Sequence, residues 1–160
     1  MSYQQVASIS HQRVHLTNMG SSSSKNKKAI VSVKATSAAP LLVVPKTANE
    51  MIKEKKYQYV DVRTKKEFED VGHHKEAVNV EFFSSMGPPP VLNGDFLSSI
   101  LKKFPEKDCP ILVGCAAGGR SAKASQLLVE NGYTNVADLK GGFKAWAEEF
   151  GDQITFGCGC

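Results

Sequence analysis

The residues best able to do chemistry lie in one run, Ile111-Leu112-Val113-Gly114-Cys115-Ala116-Ala117-Gly118-Gly119-Arg120-Ser121. An apolar stretch ends in a cysteine, small residues follow, and a helix-forming segment begins. At the carboxyl end of a buried strand, such a turn can curl its backbone N–H groups around a small anion. Gly118 and Gly119 permit the dihedrals this requires. The positive end of the following helix and the charge of Arg120 add to the field. A cysteine held there is expected to ionise readily and to act as a nucleophile. The field that holds an anionic substrate also favours the thiolate, so no histidine base is required. Cys115 is therefore the candidate nucleophile. Ala116, Ala117, Gly118, Gly119 and Ser121 are the candidate backbone donors, and Arg120 supplies the candidate charge for an anionic substrate.

Other reactive side chains read differently. Cys109 precedes Pro110 at the opposite end of the same strand. Six residues of strand span roughly 20 Å, whereas a disulfide needs Cα atoms within about 7 Å, so Cys109 is expected to be structural. His73-His74 has no further His or Cys close by, which is poor zinc spacing. No metal is expected, His73 is read as structural and His74 as exposed. Gly141-Gly142 reads as a tight turn into the last helix. Trp146 reads as a core residue whose N–H needs a partner.

The elements that would position this run follow from local signals. Thr47 and Glu50 suggest a capping box for a helix over Ala48–Lys55, and Thr64 and Glu67 one for a helix over Lys65–Val71 that Gly72 ends. Tyr57–Val62 and Ala77–Val80 read as strands, and Met86–Asp95 as a Pro/Gly loop. Phe96–Phe104 reads as an amphipathic helix with Leu97, Ile100, Leu101 and Phe104 on one face. Pro110–Gly114 has the continuous apolar character of a buried parallel strand. Ser121–Asn131 reads as a helix with Ala124, Leu127 and Leu128 inward, closed by Gly132 and Tyr133. Asn135–Leu139 is the last expected strand and Phe143–Phe150 the last helix. Strands alternating with helices predict an α/β fold, a mostly parallel central sheet flanked by helices on both faces.

Composition divides the chain. The net charge is +4, but residues 1–49 hold six basic residues and no acid. The remaining fourteen basic and sixteen acidic residues leave the body at −2. A mildly acidic body argues against nucleic acid as a partner, and no apolar run approaches the eighteen or so residues of a membrane span. Residues 1–38 are Ser-rich and basic, the composition of a transit peptide, with a plastid favoured over a mitochondrion because Ser and Lys outweigh Arg. A disordered tail is the plainer alternative. Met19-Gly20-Ser21-Ser22-Ser23-Ser24 would fit a myristoylation signal if synthesis began at Met19. The organisation expected is a leader over 1–38, one domain over 40–151 and a flexible tail over 152–160.

Four blocks in order carry a resemblance. Cys115-Ala116-Ala117-Gly118-Gly119-Arg120 resembles the Cys-x-x-Gly-x-Arg loop of rhodanese-homology domains. Asp61-Val62-Arg63 with Glu67-Phe68 resembles the family's strand–Asp-x-Arg–helix block. Gly72-His73 followed by Ala77-Val78-Asn79-Val80, and Gly141-Gly142 with Trp146, resemble two further blocks. Lys75-Glu76 departs from the Pro-Gly often found in the family, in a connecting turn. Together with the leader, the chain looks like the plant single-domain sulfurtransferases, some of them senescence-associated. The resemblance implies a sulfurtransferase that needs no cofactor. Cys115 would take sulfur from thiosulfate or a similar anion as a persulfide and pass it to cyanide, a thiol or a protein thiol. Arg63 would serve as loop anchor and substrate charge, and Asp61 would be structural beside the site. A regulatory or sulfide-sensing module is the non-enzymatic alternative. A phosphatase or arsenate reductase would be expected to use a longer loop than the four residues between Cys115 and Arg120. Cys158-Gly159-Cys160 is either a frayed end or a sulfur-accepting or redox pair.

Overall fold

The computed structural model of the chain describes residues 39–157. The readings made above for the leader and for Cys158-Gly159-Cys160 lie outside them. In chain order the elements are β1 (Leu41–Val43), α1 (Pro45–Lys55), β2 (Gln58–Asp61), α2 (Lys65–Val71), β3 (His73–His74), β4 (Val78–Asn79), β5 (Phe83–Ser85), β6 (Val91–Leu92), α3 (Phe96–Lys103), β7 (Ile111–Gly114), α4 (Gly119–Glu130), β8 (Val136–Leu139), α5 (Gly142–Glu149) and β9 (Ile154–Thr155), with a 3₁₀ turn over Gly151–Gln153. Five strands form a parallel sheet in the order β1-β8-β7-β2-β4.

The side-chain period of two sorts this sheet into two cores. Val60, Val113 and Val136 pack with Phe96, Ile100, Ala124 and Leu128 of α3 and α4. Tyr59, Leu112, Ala137 and Leu139 pack with Met51, Ile52 and Trp146 of α1 and α5 on the other face. Helices thus flank both faces, as the alternating pattern implies. Each fully buried large apolar side chain stabilises the fold by about 1.5–3 kcal/mol. Among the described residues, no helix is long and apolar enough to cross a membrane.

Local signals located some boundaries and missed others. The Thr64–Glu67 capping box forms and α2 has the expected bounds. α1 begins earlier than expected, with Pro45 in its first turn and no side-chain cap. Proline's fixed φ suits that position, and Thr47 lies inside the helix. On α3 the buried stripe is Phe96, Ile100 and Phe104, while Leu101 is exposed. The apolar face is turned relative to the expected one because the i, i+4 spacing from Phe96 wins. The expected Pro/Gly loop contains β6, paired antiparallel with β5.

Packing also adds a short strand near each end of the domain. β1 extends the sheet beside β8. β9 pairs antiparallel with β3, so backbone order runs past the expected boundary at residue 151. That pairing covers His74, which is buried and packs edge-on against Tyr59 and Trp146 rather than being exposed. The indole N–H of Trp146 has no hydrogen-bond partner among the described residues.

The end of α4 shows how helix and core are joined. The Gly132 N–H donates to Val129 at 3.0 Å and the Tyr133 N–H to Leu128 at 3.1 Å, a Schellman closure. It drives Tyr133 into the core, where its hydroxyl donates to the Phe104 carbonyl at 2.7 Å. Tyr133→Phe keeps the ring but orphans that carbonyl, at a cost of about 1 kcal/mol. The expected readout is a lower urea midpoint at unchanged slope; an unchanged midpoint would show that the bond contributes nothing.

Candidate active site

The central strand β7 carries Cys115 into the turn before α4, where it is 1% exposed. Gly118 adopts the left-handed conformation, with φ of 101°, as α4 begins. This brings the Gly118 N–H to 3.1 Å from Cys115 Sγ. Ser121, one turn into α4, places its hydroxyl 3.5 Å from the same sulfur. The first N–H groups of a helix have no intrahelical acceptor, and the Gly118 N–H at the start of α4 is the donor that meets the sulfur.

The outer side of the loop is tied to α5. The Phe143 N–H donates to the Cys115 carbonyl at 2.6 Å and the Lys144 N–H to the Ala116 carbonyl at 3.0 Å. Gly142 makes this approach possible. With φ of +60°, a Cβ there would stand 2.3 Å from the Cys115 carbonyl oxygen. The Gly141-Gly142 turn is therefore a clamp on the Cys115 loop, a contact beyond the turn expected from sequence.

Charge around the loop is paired. Arg120 meets Glu67 through two hydrogen bonds of 2.6 and 2.7 Å. The guanidinium holds the Glu67 carboxyl down, from its ordinary 4.5 to about 2. Glu67 also accepts from the Thr64 N–H and hydroxyl, so one carboxylate caps α2 and anchors Arg120. Sequence reading found the cap and missed the anchor, because one local role already accounted for the residue.

Arg63 is 1% exposed. Its Nε and Nη2 reach the Asp61 carboxylate at 2.6–3.0 Å, and Nη2 also donates to the Gly72 carbonyl at 2.8 Å. The guanidinium lies 4.2 Å from the centre of the Phe143 ring. Asp61 and Arg63 thus join the end of β2, the end of α2 and the start of α5. His73 stacks on Phe68 with ring centres 3.6 Å apart, and its nitrogens face the carbonyls of His74 and Gly157. Arg63 and His73 are thus both buried among polar partners beside the loop. Cys109 packs at the edge of the core before β7, at the opposite end of that strand from Cys115.

Beside the loop lies a cavity of about 490 Å³ whose walls include Val71, Ala116, Phe143, Ala147, Ile154 and Phe156. Two of these come from the segment after α5 that had been expected to be a flexible tail. A second residue missed by sequence reading is Asp138, a buried acid on β8. Its signal was an aspartate within the otherwise apolar run Val136-Ala137-Asp138-Leu139.

Residues 44–149 match the family model of the rhodanese-like domain. The chain belongs to the rhodanese-like family. It is 36% identical over 121 residues to the senescence-associated protein DIN1 of Raphanus sativus, covering 76% of this chain and 64% of that protein. It is 41% identical over 92 residues to thiosulfate sulfurtransferase 16, chloroplastic, of Arabidopsis thaliana, covering 58% of this chain and 75% of that protein. The crystal structure of a rhodanese-like domain protein from Staphylococcus aureus superposes with a TM-score of 0.56 at 25% identity, covering 74% of this chain and 99% of that one. The chain thus spans somewhat less than two thirds of the radish protein.

The Glu67–Arg120 pair makes a testable contribution to this rhodanese-like domain. Glu67 titrates lower in the folded protein than in the unfolded chain, so the pair stabilises the fold above about pH 4.5 and that contribution is lost as pH falls toward about 2. Glu67→Gln should melt below the wild type at neutral pH, with the two melting temperatures converging over that acid range. Melting curves that stay parallel through it would show that the pair carries no pH-linked stability.

Proposed function

We propose that this chain is a sulfurtransferase that moves sulfane sulfur from thiosulfate, or a similar small anion, to a thiol or cyanide through a persulfide on Cys115. The observation that carries this reading is the buried Cys115 sulfur with the Gly118 N–H at 3.1 Å, held at the N-terminal end of α4. The Cys115 thiolate attacks the outer sulfur of thiosulfate. The S–S bond of the donor breaks, and sulfite leaves with its electron pair. The new persulfide anion sits among loop N–H groups from Ala116 to Ser121, which replace its hydration. An acceptor nucleophile then takes the outer sulfur and returns Cys115 to the thiolate. Charge balances at each step without a redox cofactor, because the cysteine itself carries the sulfur.

Arg120 places positive charge at the loop, and Glu67 fixes where that charge stands. An incoming anion shares the guanidinium with Glu67, whose two bonds leave other N–H groups of the fork free to donate. Arg63 acts from beneath, by holding Phe143 and the end of α2 in place. The name of the Arabidopsis thiosulfate sulfurtransferase supports this choice of donor. A protein thiol is a further acceptor of the same chemical class.

Cys115→Ser is expected to abolish sulfur transfer and leave the melting temperature close to that of the wild type, because the hydroxyl is not ionised near neutral pH and cannot form a persulfide. Mass spectrometry after thiosulfate treatment should find one added sulfur on Cys115 in the wild type only. Wild-type turnover by the serine variant would remove Cys115 from the mechanism.

We place the protein in plastids, on the composition of residues 1–38 and on the chloroplastic relative; a mitochondrial relative from Arabidopsis thaliana marks the competing destination. A fluorescent fusion of residues 1–38 should enter plastids, and a purely mitochondrial or cytosolic signal would reject that placement.

A further inference from the structure

The Cys158-Gly159-Cys160 motif has no part in the chemistry described so far. The chain leads to it along one wall of the cavity beside the Cys115 loop. β9 is held against β3 by the pairing of Ile154 with His74 and Thr155 with His73. Ile154 and Phe156 line the cavity together with Ala116, the residue that follows Cys115. Gly157 is tied at two points. Its N–H donates to the Glu69 carbonyl at 3.4 Å, and its carbonyl faces Nε2 of His73 at 3.1 Å. The next residue in the sequence is Cys158.

The cavity favours an uncharged, apolar occupant. Val71, Phe143, Ala147, Ile154 and Phe156 form much of its wall, and Val71 and Phe156 stay exposed. Arg63 and Glu67 also border it, but their charges are engaged by Asp61 and Arg120. Lys144 and Glu148 bring opposite charges to its border. Walls of this kind give a small anion such as cyanide little to bind. A Cys-Gly-Cys run has no charge in its thiol form, and a thiol side chain behaves as a small hydrophobe. The dimensions agree as well. A sphere of about 490 Å³ is about 10 Å across, and three residues of chain span up to about 10 Å. From Gly157, a chain of that length can therefore cross the cavity toward Ala116 and the sulfur behind it.

We propose that Cys158-Gly159-Cys160 is an internal acceptor for the sulfur carried by Cys115, with this cavity as the passage between them; the proposal rests on the sulfurtransferase reading above. Cys115 is buried and its loop is clamped by α5, so the acceptor has to come to it. A thiol of the segment gives its proton to solvent, and the thiolate attacks the outer sulfur of the Cys115 persulfide. The bond between that sulfur and Cys115 Sγ breaks, and Cys115 leaves as a thiolate with the electron pair. One sulfur–sulfur bond replaces another, so the step needs no oxidant or reductant. A tethered acceptor acts at an effective concentration on the order of millimolar when its linker is short. A bulky external thiol then has to meet the segment rather than the enclosed Cys115.

The test follows sulfur through the full chain. Trypsin separates the two sites, because Cys115 lies before Arg120 and the Cys-Gly-Cys motif lies after Lys144. After brief thiosulfate treatment without external thiol, mass spectrometry should find one added sulfur first on the Cys115 peptide and then on the peptide that begins at Ala145. The rate of the second step should not depend on protein concentration. The double variant Cys158→Ser with Cys160→Ser should load Cys115 and stop there. Ala147→Trp, which fills the cavity, should still load Cys115 but slow the second step about tenfold; the double variant keeps the test decisive if this one fails to fold. Sulfur that stays on Cys115 in the wild type would overturn the proposal, as would a second step that speeds up with protein concentration. A further readout needs no sulfur donor. In Cys158→Ser, where the two neighbouring thiols cannot pair with each other, diamide should join Cys160 to Cys115, a bond that requires Cα atoms within about 7 Å. That bond in a protein that never loads from thiosulfate would uphold the passage and reject thiosulfate as the donor. Its absence from such a protein would overturn both.

Discussion

The contact between the Gly141-Gly142 turn and the carbonyls of Cys115 and Ala116 is the constraint on which the site depends. A Cβ at Gly142 would fall 2.3 Å from one carbonyl oxygen and 2.8 Å from the next carbonyl carbon. No side chain fits there, so the start of α5 can reach the loop only through glycine. The reward for that crowding is two backbone hydrogen bonds, from Phe143 and Lys144, that hold the loop carbonyls on its outer side. With those acceptors engaged, the donors of the turn and of the α4 terminus are free to act on the sulfur.

Around this clamp the domain uses buried charge as joinery. Asp61 and Arg63 are both almost fully enclosed, and their bonds with each other and with Gly72, together with the Phe143 ring, tie three elements to one point. A buried pair of this kind is weak evidence for net stability, since desolvation offsets much of the attraction. Its evident work is geometric. Glu67 does the same nearer the surface, where one carboxylate completes a helix cap and fixes Arg120. Substituting Glu67 would disturb both the helix cap and the charge at the Cys115 loop.

What could be read from the sequence was local in cause. The apolar run of β7, the Thr64–Glu67 cap, the glycines of the loop and the five-residue step from Cys115 to Arg120 each carry their signal within a few residues, and together they located the candidate nucleophile. The rest depended on partners far away in the chain. Glu67 and Arg120 meet across 53 positions. β1 and β9 are too short to show alternation, and each exists because another strand offers it an edge. His74 is buried because β9 returns to cover it. Phe96 and Leu101 stand at opposite edges of the apolar side of α3, and only the shape of the core decides which edge is buried. Asp138 was a visible anomaly, an acid in an apolar strand, whose burial follows from the register that sets it beside Val113.

The strand order also governs how the nascent chain must behave. β7 can pair with β2 as soon as it is made, but its other edge stays open until β8 has been synthesised. β1 waits longer still, since its single neighbour in the sheet is β8, and its residues Leu41 and Leu42 remain 58% exposed even in the finished domain. An apolar strand with an unsatisfied edge is a template for pairing with other chains, and slow closure of non-local strands lengthens that exposure. The arrangement that buries Cys115 on a central strand thus leaves that strand, and β1 with it, dependent on β8 to close the sheet.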